Sequence, residues 1–281
     1  MFRSVGIVSR TDRKEAVQLA TEIVKALEHR KLEVKSEPKL AKYLSQPDLA
    51  VPVGKMKADM IVTIGGDGTI LRTCLRLPKP EPPLLTINMG ARGFLAEVEP
   101  EDALKALKQT LNGNYKTERM IKVASFLGKK RLPDALNEVS ISSLSPAKLL
   151  RMRIWKGTEL VGECQSDGAV VASQAGSTGY SLSAGGPVID PDVQAFVFTP
   201  IAPLTVFHPI VFPADSTIHV ELTRPRKAVV VIDGHYQAET LPELSRITLT
   251  KSEYESSFIR FKGNFYHRLK GRLLFSQGRI S

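Results

Sequence analysis

Cysteine is scarce in this chain of 281 residues, and that scarcity excludes two kinds of site. The two cysteines, Cys74 and Cys164, are far apart in the sequence and have no Cys or His neighbours at metal-ligand spacing. A disulfide framework and a zinc site are therefore not expected. Both residues are predicted to be small, buried residues of a core.

Long apolar runs are also absent. No run approaches the roughly 18 residues that a membrane-spanning helix needs, and the start, MFRSVGIVSRTDRK, lacks the apolar core of a signal peptide. Hydrophobic residues still make up 42% of the chain, which is enough for one large or two medium domains. We therefore expect a cytoplasmic protein with no membrane partner.

Aromatic residues are few, at 6% of the chain with a single tryptophan. The net charge of +10 at pH 7 favours anionic partners, either nucleic acid or small phosphorylated ligands. Nucleic-acid binders typically interleave basic residues with stacking aromatics, and no such stretch occurs. The densest basic cluster, GKKR at 128–131, is predicted to be a solvated hairpin tip. Small phosphorylated ligands are thus expected, and nucleic acid is not.

The first third of the chain alternates strand and helix patterns. Strand-like runs occur at FRSVGIVSR, KLEVKSEP, ADMIVTI and LLTINMG, and helical spacing occurs in TDRKEAVQLATEIVKALEHR, TILRTCLRL and EPEDALKALKQTLNG. Asp12 and Glu15 are spaced as a capping box for the first helix, and Gly113 is expected to close the last one. This alternation predicts a parallel sheet with helices on its faces.

From about Glu118 the sequence changes to short runs rich in β-branched residues, with turn signals between them. These runs predict an antiparallel all-β domain. The end of the chain, SFIRFKGNFYHRLKGRLLF, returns to a helix-like pattern and is expected to pack onto the first domain. The predicted domains are therefore residues 1–118, completed by 256–281, and residues 119–255.

The stretch IVTIGGDGTILR, residues 61–72, runs from an apolar strand into three glycines with one carboxylate between them. Such glycines let backbone N–H groups converge, and the next helix adds partial positive charge, so an anion site is expected. The P-loop lysine is absent. Asp67 would repel a phosphate unless it binds Mg²⁺ or takes a proton from an attacking hydroxyl. Phosphoryl transfer and a tight turn capped by Asp67 or Thr69 both stay open on these residues alone.

A second constellation is SDGAVVASQAGSTGYSLSAGGPVIDP, residues 166–191. Its small hydroxyl residues and glycines suit a backbone that approaches a polar ligand closely, and Tyr180 could stack on a base. No GxSxG nucleophile elbow occurs, so a serine hydrolase is not indicated. A glycine-rich loop of the β domain is the alternative interpretation.

Two shorter motifs carry polar residues at strand ends. NEVSIS begins with Asn137 and Glu138, which could pair with an adenine edge and ribose hydroxyls or could be ordinary strand-edge polarity. IDGHY contains the DG signal of a hairpin, so Asp233 and His235 are expected to lie in a turn.

Together these stretches resemble the NAD kinase family over about residues 5–269. The matching blocks are GGDGTILR, NMGARGFLAE, LNEVSIS and the segment 166–191, in the family's order. GGDGT alone is shared with diacylglycerol-type lipid kinases and is similar to phosphofructokinase loops. GSTGYSLSAGGP after an NE pair is similar to NAD kinases specifically.

The resemblance implies an N-terminal α/β domain with a parallel sheet, a C-terminal β-sandwich-like domain, and a homodimer or homotetramer. It also implies the reaction: a phosphoryl group passes from ATP or polyphosphate, with Mg²⁺ or Mn²⁺, to the 2′-hydroxyl of the adenosine ribose of NAD, giving NADP. The metal ion is expected to be held mainly by the donor's phosphates, so no residue is assigned as a metal ligand.

The resemblance also assigns residues. Asp67 matches the catalytic aspartate, which accepts the proton of the 2′-hydroxyl. The phosphate- and donor-binding residues are Gly65, Gly66, Gly68, Thr69 and Arg72. The NAD-binding residues are Asn88, Phe94, Asn137, Glu138, Gln165, Asp167, Thr178, Gly179, Tyr180, Ser183 and His235.

The chain departs from the family pattern at ligand-facing positions. Residues 173–180 read SQAGSTGY where many members read TPTGSTAY, so Ala175 lacks a hydroxyl and Gly179 lacks a methyl group. Gln165 stands where many bacterial relatives have a basic residue, and APL at 202–204 replaces a frequent Pro-His pair. These changes leave the choice between NAD and NADH open. Asp67 and the Asn137–Glu138 pair, on which the reaction class depends, are intact.

Two other hypotheses remain. A GGDGT-type lipid or sugar kinase is the first, although a non-polar acceptor would need an apolar groove and the Ser/Thr/Gly segment argues against one. A non-catalytic NAD(P)-binding regulator is the second, and it would be expected to have lost the acid of GGDGT. That acid is present in this chain.

Overall fold

The structure, a computed structural model, describes residues 2–90, 93–145, 148–223, 227–239, 246–261 and 265–270. The chain divides into two compact units. The first comprises Met1–Arg119 with Ser256–Ser281, and the second comprises Met120–Glu255.

A parallel sheet forms the centre of the first unit. Its strands lie in the order β2-β1-β3-β4 and are continued by the last residues of β16, where Phe258 lies opposite Leu84. Strands β3 and β4 are buried along their whole length, which explains their unbroken apolar sequences. The strand bounds are β1 Ser4–Ser9, β2 Glu33–Ser36, β3 Met60–Gly65, β4 Leu84–Asn88 and β16 Arg246–Arg260.

Helices of the first unit follow the strands in the chain. The longest, α1, buries one apolar stripe in the core that the sheet also lines, and this packing is what stabilises an amphipathic helix. Gly113, with a φ of +80°, lies two residues beyond the end of α4, as its predicted role in closing that helix requires. The helix bounds are α1 Lys14–His29, α2 Pro38–Leu44, α3 Asp67–Arg76, α4 Ala103–Leu111 and α6 Phe265–Leu269.

The second unit is built from antiparallel strands. One sheet has the order β12-β11-β10-β7-β14-β15, and in the other β16 is followed by β13, β8 and β9. One short helix, α5 at Tyr180–Ser183, lies in the glycine-rich segment. The strand bounds are β5 Lys116–Leu127, β6 Lys130–Arg131, β7 Glu138–Ser143, β8 Leu150–Lys156, β9 Glu159–Ser166, β10 Gly168–Ala172, β11 Ala195–Ile201, β12 Ile210–Pro213, β13 Ile218–Leu222, β14 Ala228–Ile232 and β15 Tyr236–Glu239.

The predicted fold class is confirmed, with a parallel α/β part and an antiparallel β part. The GKKR segment forms the predicted hairpin tip: Gly128 and Lys129 form the turn, and Lys130 and Arg131 are strand β6, which pairs with the end of β5. Cys74 and Cys164 are both buried, and burial raises the pKa of the Cys164 thiol to about 11. No helix in the described ranges is long and apolar enough to cross a membrane.

Two local predictions are wrong. The first helix has no capping box, since its N-cap residue is Arg13 without a side-chain cap, and the Asp12 carboxylate pairs with Arg10 instead. Residues Ser257–Arg260, predicted to be helix-like, belong to strand β16, and a helix begins only at Phe265. The remainder of that predicted helical end, residues 262–264 and 271–275, lies outside the described residues.

Candidate active site

The glycine loop joins β3 to α3 at the carboxyl edge of the parallel sheet. Gly65 ends the strand, Gly66 is the N-cap residue, and Asp67 is the first residue of the helix. A Cβ at Gly65 would lie 2.3 Å from the Thr69 hydroxyl oxygen, so only glycine fits there. Gly68 is exposed in the first turn of the helix. The loop therefore presents the N-terminus of α3, the end with partial positive charge, to its surroundings.

The carboxylate of Asp67 is fixed by the backbone of the segment after β4. Its Oδ2 accepts the Phe94 N–H at 2.8 Å, and its Oδ1 accepts the Leu95 N–H at 3.1 Å. Gly93 has to be glycine, because a Cβ there would lie 1.9 Å from Asp67 Oδ1. Two donors and a close glycine thus hold one orientation of an acid at the helix N-terminus, as a general base requires.

The predicted NAD-binding residues of the first unit lie beside this loop. Asn88 ends β4 directly opposite Gly65, and its side-chain oxygen accepts the Gly90 N–H at 3.3 Å. Phe94 is buried and contributes the N–H group that binds Asp67. Asn88 and Phe94 are therefore brought together with Asp67 at one sheet edge.

Arg72 points to a carboxylate of its own unit. Its Nη1 and Nη2 donate to the two carboxylate oxygens of Glu37 at 2.8 and 3.2 Å, and Glu37 also accepts the Ser9 N–H at 3.2 Å. Glu37 is buried, so this is a bidentate pair with geometric specificity. The contact between Arg72 and a donor phosphate stays a prediction.

Arg10 is a cation near the loop that the sequence reasoning missed. It follows β1, and its Nη1 donates to the Met89 carbonyl at 3.1 Å. The guanidinium is also close to Gly90 and the glycine loop. Its Nη1 is 3.9 Å from the position that a Cβ on Gly90 would occupy, and the Cα of Gly66 is 3.3 Å from the same position. Its hydrogen bonds to Asp12 lower the pKa of that carboxyl to about 2. The available signal was its place at the carboxyl end of a predicted parallel strand.

In the second unit the backbone of Asn137 and Glu138 is held by Asp233. The Asp233 carboxylate accepts the N–H groups of Leu136, Asn137 and Glu138 at 2.7, 2.9 and 3.0 Å. Asp233 and Gly234 have φ of +48° and +69°, the left-handed pair of a DG hairpin turn. The turn was predicted, but the role of its carboxylate was not.

The glycine-rich segment packs directly on this pair. The Ser173 N–H and hydroxyl donate to the carbonyls of Asn137 and Leu136 at 2.8 and 2.5 Å. A Cβ at Gly176 would lie 2.1 Å from the Asn137 carbonyl oxygen, so this glycine is required by close approach. A Cβ at Gly179 would lie 3.1 Å from Glu138 Oε2, so the missing methyl group leaves space beside that oxygen.

Three buried acceptor atoms of this cluster have no hydrogen-bond partner among the described residues: Asn137 Oδ1, Glu138 Oε2 and Gln174 Oε1. Burial first, and then the charge of Asp233, raise the pKa of Glu138 to about 7, although the Tyr180 N–H donates to its carboxylate. Unsatisfied buried acceptors are costly, and ligand hydroxyl or amine groups could satisfy them. Gln174 was not singled out from the sequence.

The remaining predicted residues of the second unit fall into two groups. Thr178, Gly179, Tyr180 and Ser183 follow β10, whose last residue pairs with Glu138, and His235 follows Asp233 in the turn, so all of these lie near the pair. Gln165 and Asp167 lie before β10. Asp167 is five residues before Ala172, the partner of Glu138, so it lies about 17 Å from the pair along the strand, and Gln165 belongs to the preceding strand, β9.

Known proteins share both units. The family model for the ATP-NAD kinase N-terminal domain matches residues 5–115, and the one for the ATP-NAD kinase C-terminal domain matches residues 136–261. An NAD kinase of Methanothermobacter thermautotrophicus is 41% identical over 273 residues, which cover 96% of each chain. An NAD kinase of Pyrococcus furiosus is 38% identical over 266 residues, covering 93% of this chain and 95% of that one.

Two solved structures also resemble this chain over most of its length. The crystal structure of an NAD kinase from Archaeoglobus fulgidus in complex with ATP is 31% identical, with a TM-score of 0.78, and the match covers 95% of this chain and 97% of that one. Yeast NADH kinase in complex with NADH has a TM-score of 0.90 at 24% identity, covering 99% and 90% of the two chains, and shares the fold. With both family models matched across most of its length, this chain belongs to the NAD kinase family.

Proposed function

We propose that this protein phosphorylates the 2′-hydroxyl of the adenosine ribose of NAD, giving NADP. The observation that carries the proposal is the Asp67 carboxylate, held by the Phe94 and Leu95 N–H groups at the start of a helix that follows a glycine loop. An acid fixed in this way can take a proton beside a phosphate, and family membership supplies the acceptor.

In this mechanism the 2′-hydroxyl oxygen attacks the γ-phosphorus of the donor. The bond from that phosphorus to the bridging oxygen breaks, the nucleoside diphosphate leaves, and the hydroxyl proton passes to Asp67. Gly65, Gly66, Gly68 and Thr69 would bind the donor's phosphates through the loop and the helix N-terminus.

Adenosine would bind at the second unit's cluster. The buried oxygens Asn137 Oδ1 and Glu138 Oε2 support this assignment, because adenosine offers an amine and ribose hydroxyls as donors. Tyr180 is 43% exposed and available for stacking on the base. We accordingly assign catalysis and donor binding to residues 1–118 with 256–281, and NAD binding and oligomerisation to residues 119–255.

The donor would enter as its Mg²⁺ or Mn²⁺ complex, and the ion would neutralise charge that develops on the transferred phosphoryl group. Within the described ranges no three His, Cys, Asp or Glu side chains form a group that could hold a metal ion. The ATP complex of the related archaeal enzyme supports ATP as the donor here, with polyphosphate as the alternative. The homo-oligomeric state and the cytoplasmic location stay predictions.

The test is NADP formation by the purified protein from NAD, Mg²⁺ and either ATP or polyphosphate. Asp67→Asn should lower kcat by at least about 100-fold, since a positioned general base contributes that much, while the Kd for NAD changes little. Asp59→Asn is the matched control, because Asp59 also accepts two backbone N–H groups, those of Arg3 and Ser4, but lies outside the proposed site.

Near-normal turnover of Asp67→Asn would show that Asp67 is structural. Measurable NAD binding by the wild-type protein with no NADP from any donor would favour the non-catalytic regulator instead.

A further inference from the structure

Arg260 is a buried arginine at the end of β16, with 6% of its surface exposed. Its Nε donates to Glu118 at 2.6 Å, and its guanidinium lies 4.9 Å from the centre of the Phe258 ring. Glu97 is a second carboxylate, 3.7 Å from Nη1. Burying a guanidinium carries a large desolvation cost even when carboxylates balance its charge.

The same guanidinium reaches the segment that holds Asp67. Its Nη1 donates to the Leu95 carbonyl at 2.9 Å, and the Thr86 hydroxyl donates to that carbonyl at 3.2 Å. On its other side, the Leu95 N–H donates to Asp67 Oδ1 at 3.1 Å. The Leu95 carbonyl is thus held by Thr86 of β4 and Arg260 of β16, while the Leu95 N–H donates to the Asp67 carboxylate.

An arginine suits this place better than a lysine does. The planar fork sends Nε to Glu118 and Nη1 to Leu95 in one rigid geometry, whereas an ammonium group is a point charge on a flexible stem. A residue that served only to neutralise Glu118 would not need the second contact.

We propose that Arg260 is a positioning residue for the phosphoryl transfer. It fixes the Leu95 backbone, and the Leu95 and Phe94 N–H groups in turn hold the Asp67 carboxylate toward the reacting hydroxyl. The inference rests on the proposed role of Asp67 as general base. Misplacing a catalytic group by about 1 Å can cost about 100-fold in rate, so loss of this support should reach the chemistry.

The experiment compares the kinetics of three single variants. Arg260→Lys keeps a cation for Glu118 but loses the Nη1 hydrogen bond to the Leu95 carbonyl. We expect kcat to fall at least about tenfold, with the KM for NAD unchanged within about twofold. Glu118→Gln is the matched control, because it weakens the same ion pair without touching Leu95, and its kcat should stay within about twofold. Thr86→Val removes the second donor to the Leu95 carbonyl and should lower kcat by a smaller factor.

The double variant tests the shared carbonyl directly. If Arg260 and Thr86 act through Leu95, the fold-loss of kcat in Arg260→Lys/Thr86→Val differs from the product of the two single losses. Full kcat in Arg260→Lys would overturn the proposal, and so would an equal loss in Glu118→Gln at matched thermal stability. If Arg260→Lys does not fold, full kcat in Thr86→Val overturns it.

Hydrogen–deuterium exchange separates this proposal from the proposed function. Arg260→Lys should speed amide exchange at Phe94 and Leu95 at least about tenfold, and Glu118→Gln should not, whether or not the protein makes NADP. Unchanged exchange would overturn the role of Arg260 even in an active enzyme. A wild-type protein without kinase activity that still shows the exchange effect would instead refute the function and keep the positioning.

Discussion

At the scale of single residues, Glu138 gives a pH dependence with a defined sign. Burial and the nearby Asp233 raise its pKa from 4.5 to about 7 in the folded protein. Between those pH values the folded state binds more protons than the unfolded state, so the free energy of unfolding falls as the pH rises, by up to about 3 kcal/mol. Glu138→Gln removes this group. The unfolding free energy of the wild type should therefore fall relative to that of the variant as the pH rises across pH 5–8.

Chemical denaturation at several pH values measures that difference. Asp233, whose pKa is also raised by burial, is present in both proteins, so the comparison reports Glu138 together with its interaction with Asp233. A difference that stays constant over this range would mean that Glu138 ionises in the folded protein as it does in the unfolded chain.

Sequence reasoning found the residues of the short motifs but not the contacts that hold them. Asp67 and Glu138 were predictable because each lies in a local pattern. Asp233 contacts Glu138 from 95 residues away, and Arg260 contacts Leu95 from 165 residues away. Residues that hydrogen-bond over such a separation form no local sequence pattern, so only the folded structure shows that they are in contact.

At the scale of elements, the close approach of the segment after β4 to α3 makes Gly93 critical. Its missing Cβ leaves room for Asp67 Oδ1, which would otherwise lie 1.9 Å away. Gly93→Ala should displace the carboxylate or its two N–H donors and lower kcat about 100-fold or more. Steady-state kinetics would measure this, with thermal unfolding to confirm folding. Gly54→Ala, where the new methyl group meets only the Arg76 carbonyl at 3.4 Å, is the control, and equal losses in both variants would contradict the steric argument.

The errors at this scale have physical reasons. Phe258, Ile259 and Arg260 at the end of β16 are all buried, so this part of the strand shows no alternation, and a strand buried on both faces cannot be told from a buried helix by periodicity. The capping box failed because Asp12 had a stronger partner, the guanidinium of Arg10. Long apolar strands such as β3 and β4 were predictable, because length and glycine punctuation settle their type.

At the scale of the whole molecule, the net charge of +10 matters because every substrate of the proposed reaction is an anion. A positive molecule attracts anionic nucleotides over distances comparable to the Debye length. That length shrinks from about 10 Å at 0.1 M salt to about 3 Å at 1 M salt. Encounter should therefore depend on ionic strength more than the chemical step does.

We expect kcat/KM for ATP to fall severalfold between about 0.05 and 0.5 M KCl, while kcat at saturation changes less than about twofold. Lys129→Gln/Lys130→Gln, at the exposed hairpin tip, lowers the net charge by two without altering any residue of the proposed site. Its kcat/KM should be lower at low salt and converge with wild type at high salt. A flat salt profile in wild type would mean that local contacts at the glycine loop, rather than the charge of the whole molecule, govern how the donor is captured.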